Sequence, residues 1–392
     1  MQNRINIDYT ILSILILLGL ASIFTLHTLE PTFSASEGSG YWLKQGMWYI
    51  AGGLIIAAVM LIDYDRFHQI TWIFYGIGIL SLFMLFIGFP PSIVTEVNGA
   101  VSWFQFPGMS IQPGEFIKVI LVMTLAHVIV RHNGKYVKKT FKSDIILLVK
   151  IVVLSLPPMF LVATQPDLGG FLVLSAIAAS MVLVSGIRWR ILLFLLFIAL
   201  AGTALIAAVW YFFPDIVAEF LDRSGLGHVA GRFIGWLNPE ETNGGYGYQL
   251  ITAMMAIGSG QLFGKGISDL EVSVPEQHTD MIFTAVAEQF GFIGSSIVVT
   301  LLFLLIYRLI HIAIQSNDEY GSYLVTGMVG MFAYQIFQNI GMSIQLLPIT
   351  GLPLPFLSYG GSSTLTYMLA IGIVLNVHSR TKEYMFETRW NN

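Results

Sequence analysis

Ten stretches of this chain are long and apolar enough to suggest membrane crossing, and that repetition leaves little choice of architecture. They lie near 10–27, 43–62, 70–88, 115–131, 145–163, 168–186, 190–211, 281–307, 321–345 and 362–379. Roughly 17–25 predominantly apolar residues suffice for a helix to span the hydrocarbon, where the backbone must satisfy its own hydrogen bonds. The sequence therefore predicts an all-α polytopic membrane protein of about ten transmembrane helices, read as a single domain over 1–392. Composition agrees: 55% of the 392 residues are hydrophobic and 11% charged, against about 25% charged in a soluble domain. "FSASEG" after the first run faintly resembles a secretory cleavage site, but equally apolar segments follow, so that run reads as an uncleaved first span. Without cysteine, disulfides, thiolate metal sites and cysteine nucleophiles are excluded. No P-loop, dinucleotide fingerprint or nucleic-acid motif is present.

The basic residues set an orientation. Arg4, Arg66, six residues from Arg131 to Lys150, Arg188, Arg190, Arg308, Arg380, Lys382 and Arg389 fall on one side of the ten-span alternation. Lys44, Lys118, Arg223, Arg232 and Lys265 fall on the other. By the positive-inside rule the richer side is cytoplasmic, which places both termini inside and a large segment, about 212–280, outside. Within that segment "YGYQLITAMMAIGSGQLFGKG" holds an apolar stretch too short to span, expected to lie as an interfacial or re-entrant helix.

Four polar stretches then gather on the exterior side. They are "SWFQFPGMSIQPGEFIK" with Trp103, Glu115 and Lys118; "TQPDLGG" with Gln165 and Asp167; "VSVPEQHTDMIFTAVAEQFGF" with Glu276, His278, Asp280 and Glu288; and "LPLPFLSYGGSS" with Ser358 and Ser362. Ionisable groups inside spans are costly and mark functional hypotheses. A transporter site sits near the midplane; crowding at one interface instead suits a site that meets the headgroup of an amphipathic substrate. Plainer readings stand beside this one. Asp280 has the place of an acid on a helix N-terminus, and Glu115 and Lys118, three apart, can neutralise each other. Asp167 suits a turn, Trp103 an interfacial anchor, His278 a loop hydrogen bond, and the glycines of "SYGG" backbone freedom. Glu288 resists such a reading, because eight residues beyond Asp280 is about 12 Å deeper along a helix.

"QPGEFIK", "TQPDLGG", "LNPEE", "GYQLITAMMAIGSGQLFGKG", "PEQHTDMIF" and "PLPFLSYGGSS" resemble, in order and spacing, the motifs of the SEDS family of bacterial shape, elongation, division and sporulation proteins. The resemblance covers nearly the whole chain. Short termini and the wording of "PEQHTDMIF" are closer to its elongation branch, typified by RodA, than to the division branch, typified by FtsW. It implies a peptidoglycan glycosyltransferase that polymerises lipid II outside the cytoplasmic membrane for elongation and rod shape. The implied partners are a class B penicillin-binding protein that cross-links the product and other elongation-complex proteins. Asp280 matches the family's essential aspartate, Glu115 and Lys118 its charged pair, and Trp103 falls near an exterior aromatic of the site. "PGE" replaces the more familiar "PSE", a change of little consequence in size.

The implied chemistry fits the residues. A polyprenyl diphosphate leaves without a proton, so one base is needed at the acceptor hydroxyl and positive charge at the diphosphate. Asp280 is the candidate base, since a desolvated carboxylate gains proton affinity. Lys118, Arg232, Lys265 or a divalent cation (Mg2+ or Mn2+) are candidates for the charge. Gln165, Asp167, His278, Glu288, Ser358 and Ser362 are candidate substrate contacts. A lipid II flippase, a recruiting scaffold and a division or sporulation paralogue with the same chemistry are the competing readings.

Overall fold

The computed structural model describes residues 6–32, 39–96, 100–213, 216–217, 221, 223, 227–240, 245–267 and 270–387. Each expected span is a helix: α1 (Tyr9–Leu29), α2 (Tyr41–Leu61), α3 (Tyr64–Phe86), α4 (Pro113–Lys135), α5 (Phe141–Ala163), α6 (Leu168–Val184), α7 (Trp189–Phe212), α10 (Ile282–Gln315), α11 (Glu319–Ser343) and α12 (Gly361–Glu387). Between α7 and α10 lie α8 (Gly227–Leu237) and α9 (Gly245–Ser259). A two-stranded hairpin, β1 (Phe104–Phe106) and β2 (Met109–Ile111), is a small addition to the all-α expectation in the α3–α4 connection.

Local chemistry explains where helices begin. Asp8 accepts the Thr10 and Ile11 amides at 2.9 and 3.2 Å, Asp167 the Gly170 amide at 2.7 Å, and Asp318 the Gly321 amide at 2.8 Å. Thr140 and Ser143 close a capping box on α5. Such side chains replace the partners that first-turn amides lack.

Among the described residues seven helices, α1 to α5, α7 and α10, are apolar and long enough to cross a membrane by length and composition. At 17 residues α6 is shorter. α11 and α12 carry buried polar side chains, among them Gln335, Gln338, Asn339, Asn376 and His378, which lower their hydropathy. α4 is the central post: 78% of its apolar window is buried, and it packs on α3, α5, α6, α11 and α12. α7 is the opposite case, with only Ile191 and Leu192 buried.

One span departs from the expected continuous helix over 281–307. α10 breaks at Gly291, whose φ of 60° favours glycine. The loop after α9 crosses that break. Lys265 and Gly266 amides donate to the Glu288 and Gln289 carbonyls at 2.9 and 3.1 Å, and Phe292 and Ile293 amides donate to Gln261 and Leu262 carbonyls at 2.9 and 3.2 Å. A Cβ on Gly291 would fall 2.4 Å from the Gly264 nitrogen. The break thus exchanges helical bonds for loop bonds and leaves 282–290 as a short helical segment beside the loop.

The two ends of the bundle differ in charge. At the basic end, Asp8 pairs with Arg308 at 2.7 Å, Asp63 with Arg380 at 2.9 Å and Asp144 with Arg188 at 2.9 Å. The other end carries Asp280.

Candidate active site

The segment between α11 and α12 assembles this end. Residues 349–358 are non-helical, yet Ile349, Thr350, Leu352, Leu354, Phe356, Leu357 and Ser358 are buried. Ser22 of α1 donates to the Leu357 carbonyl at 2.6 Å, Gln45 of α2 to the Ser358 carbonyl at 3.1 Å, and the Tyr49 hydroxyl to the Phe356 carbonyl. Ser22 lies seven residues from the end of α1 and Tyr49 eight residues into α2, about 10–12 Å below the helix ends. The segment therefore re-enters the bundle, and irregular backbone is tolerated at that depth because side chains of neighbouring helices satisfy it.

Around this loop the polar stretches separate by role. Asn339 of α11, fully buried, donates to the Asp280 carbonyl at 2.6 Å and to the Leu352 carbonyl at 2.7 Å. Arg232 of α8 donates to the Thr350 carbonyl at 2.8 Å and stands over the Tyr246 ring at 5.2 Å. A Cβ on Gly351 would lie 3.9 Å from Asp280 Oδ2. One on Gly169 would fall 2.9 Å from the Thr350 carbonyl oxygen, so only glycine lets α6 close against the loop. A small core of Leu250, Ala253, Ala256, Val274, Met281, Met342 and Ile349 packs α9 beneath the Asp280 turn.

Asp280 is 8% exposed. It does not cap α10: Met281 holds the N-cap position, without a side-chain cap bond. Burial, reinforced by the like charge of Glu276, pushes its carboxyl from the ordinary range up to about 7; Arg232 and the Thr279 hydroxyl pull the other way. Gln277, also buried, has a side-chain Nε2 without a hydrogen-bond partner among the described residues, as does Gln165.

Other candidates are tied into the scaffold. Lys118, 0% exposed, meets Glu115 at 2.6 Å. Lys265 meets Glu271 and Glu288 at 2.8 and 2.9 Å, and the same Glu288 oxygen accepts the Glu271 and Val272 amides at 3.1 and 3.2 Å. Glu288 therefore anchors the loop that crosses the α10 break. Asp167 caps α6. Ser358 Oγ accepts the Leu354 amide at 2.8 Å, and Ser362 Oγ accepts the Gln112 amide at 3.0 Å, joining α12 to the start of α4. Trp103 is half-buried, next to Ser102, whose hydroxyl reaches the Gln165 carbonyl at 3.3 Å. His278 stacks on Tyr41 with centroids 4.7 Å apart, and its carbonyl accepts the Tyr359 amide at 3.0 Å.

Sequence reasoning missed Asn339, Gln277 and Tyr41. For Asn339 a signal existed: three amide side chains, Gln335, Gln338 and Asn339, cluster inside an apolar span. Tyr41 carries no such mark, because an aromatic at a span's start reads as an anchor. Among the described residues no group of three or more His, Asp or Glu has a metal-holding arrangement.

Comparison with known proteins gives this geometry a context. A family model of FtsW, RodA and SpoVE, described as cell cycle protein, matches residues 6–383. The chain is 30% identical over 371 residues to a probable peptidoglycan glycosyltransferase FtsW of Geobacter metallireducens, covering 93% of this chain and 92% of the relative. It is 31% identical over 438 residues to the peptidoglycan glycosyltransferase RodA of Treponema pallidum, covering 95% and 98%. A solved peptidoglycan synthase complex, described as coordinating polymerization and crosslinking, contains a chain with TM-score 0.76 and 25% identity over 99% of this chain and 100% of that one. Thermus thermophilus RodA gives TM-score 0.66 at 25% identity, covering 100% of both chains. A match that runs almost from end to end, in sequence and in fold, makes this multi-pass membrane protein a member of the SEDS family of FtsW, RodA and SpoVE.

Proposed function

We infer that this chain is a peptidoglycan glycosyltransferase of the elongation type, and propose that Asp280 is its general base, acting on lipid II at the outer face of the bacterial cytoplasmic membrane. The activity follows the names of its relatives. Orientation rests on the basic residues of the opposite end, which the positive-inside rule assigns to the cytoplasm together with both termini. The neighbouring complex that couples polymerization to crosslinking supports a class B penicillin-binding protein as partner.

One observation carries the mechanism. Asp280 is a buried carboxylate with no cation in salt-bridge contact among the described residues, and its carboxyl is poised at about 7. A base is most useful with its proton affinity near the working pH. In the reaction the acceptor sugar hydroxyl gives its proton to Asp280, and its oxygen forms the new bond to the donor's anomeric carbon. The bond from that carbon to the diphosphate breaks, its electron pair leaving on the polyprenyl diphosphate. This is a direct displacement and inverts the anomeric centre. Gln277 and Gln165 offer amide donors to sugar hydroxyls, while Asn339 and the re-entrant loop fix the backbone of the base.

The flippase reading draws on a different observation: Glu115, Lys118, Gln335 and Tyr367 are all buried inside the bundle. Asp280→Asn separates the two. It retains shape and removes the base, so polymerisation of purified lipid II, measured with the cognate transpeptidase and with or without chelator, is expected to fall about 10^2–10^4-fold. Near-wild-type polymer from a normally folded variant excludes Asp280 as base.

A further inference from the structure

Positive charge at the Asp280 end is scarce and mostly committed. Lys118 is buried against Glu115, Lys265 bridges Glu271 and Glu288, and Arg232 is directed at the Thr350 carbonyl. Arg223 is not without a partner either. Of the three cations that sequence reasoning offered for a diphosphate, Lys118 and Lys265 are neutralised by carboxylates and Arg232 is held at a backbone carbonyl.

Lys44 differs. It is exposed on the first turn of α2, and its ammonium stands 5.6 Å from the centroid of the Tyr41 ring. Among the described residues no carboxylate or carbonyl accepts from that ammonium. Glu30 accepts the Gly40 amide at 2.6 Å.

Tyr41 connects Lys44 to the base. Its ring stacks on His278 at 4.7 Å and meets the edge of Tyr359 at 4.8 Å. The Tyr359 amide is bonded to the His278 carbonyl at 3.0 Å, and His278 stands two residues before Asp280. An aromatic cluster of Tyr41, His278 and Tyr359, each half-exposed, therefore stands between Lys44 and the turn that carries Asp280. The cluster is held from both sides, by α2 and by the re-entrant loop.

We propose that Lys44 binds the diphosphate of the donor, with the Tyr41–His278–Tyr359 wall forming the surface along which the reacting sugars lie between that cation and Asp280. This rests on the glycosyltransferase reading. When the glycosidic carbon–oxygen bond breaks, the electron pair stays on the diphosphate, and an ammonium at that position stabilises the charge that develops there. A lysine suits the task as a compact point charge. An exposed cation is also the one whose contact with substrate need not break a scaffold bond.

The test compares wild type, Lys44→Gln, Lys44→Arg and, as a control from the basic end, Lys142→Gln, each purified with the cognate transpeptidase. Two quantities are read: kcat/KM for lipid II, and the inhibition constant of farnesyl diphosphate, a sugar-free diphosphate probe. Lys44→Gln is expected to lower kcat/KM and weaken inhibition, each by roughly tenfold, the scale of losing one charge-assisted contact. Lys44→Arg recovers most of both, Lys142→Gln matches wild type, and all variants melt alike. Lys44→Gln with both quantities within twofold of wild type overturns the Lys44 assignment and leaves the glycosyltransferase reading standing. Equal losses in Lys142→Gln overturn it too, as a non-specific charge effect. A wild-type protein that forms no polymer overturns the glycosyltransferase reading, and the Lys44 proposal with it.

Discussion

Asp8 and Asp280 lie at opposite ends of the bundle, 4% and 8% exposed, yet their surroundings treat their charge in opposite ways. Burial pushes the Asp8 carboxyl up, but hydrogen bonds from Arg308 and the Ile11 amide outweigh it and hold the group below the ordinary range. Asp63 and Asp144 at the same end likewise meet arginines. At Asp280 the second contribution after burial is another carboxylate, Glu276, and the nearest arginine is turned toward a carbonyl. Arginines meet Asp8, Asp63 and Asp144 at one end, whereas at the other Asp280 is buried with no salt bridge among the described residues. The difference is what supports reading Asp8 as a structural acid and proposing Asp280 as the one that takes a proton.

Substitutions can break or sharpen that contrast. The largest effect is the loss of polymerisation in Asp280→Asn, and it should come without loss of melting temperature, since burial makes the ionised carboxylate unfavourable to the fold. Glu115→Ala comes next. It strands Lys118, 0% exposed, without its carboxylate, at an expected cost of about 3–5 kcal/mol, visible as a lowered melting temperature in detergent. Unchanged stability would mean that Lys118 finds another partner. Arg308→Met leaves Asp8 buried without its guanidinium. Because Arg308 is partly exposed, the lower end of the same range applies, about 3 kcal/mol, while polymerisation per folded molecule stays at the wild-type level. A selective loss of turnover there would erase the distinction between the two ends. The smallest effect is Glu276→Gln, which removes the repelling charge and shifts the acid limb of the activity profile to lower pH by less than about one unit.

Much of this contrast was legible in the chain. Ten apolar runs fixed the helices, because lipid permits few alternatives, and the lysines and arginines sorted the ends. Asp280 stood out as a carboxylate on the threshold of an apolar segment. Partners distant in sequence were not legible. Nothing in the spacing says that Lys265 reaches Glu288 across 23 residues, or that Glu288 anchors a loop. The break at Gly291 was hidden because a glycine inside an apolar run reads as tolerated helix. Burial of most of residues 349–358 was hidden because a stretch punctuated by proline and glycine reads as an exterior loop. Tyr41 and Asn339 reach the site through tertiary contacts with His278 and Leu352, which no periodicity encodes.

The most direct test of an unmatched carboxylate acting as base is the pH dependence of kcat/KM for lipid II in wild type and Glu276→Gln. A base poised at about 7 predicts a rate that rises about tenfold per pH unit at the acid side and levels off above that value, with the limb displaced downward in Glu276→Gln. A flat profile from the acid side through neutrality, or a limb that Glu276→Gln leaves in place, would contradict it.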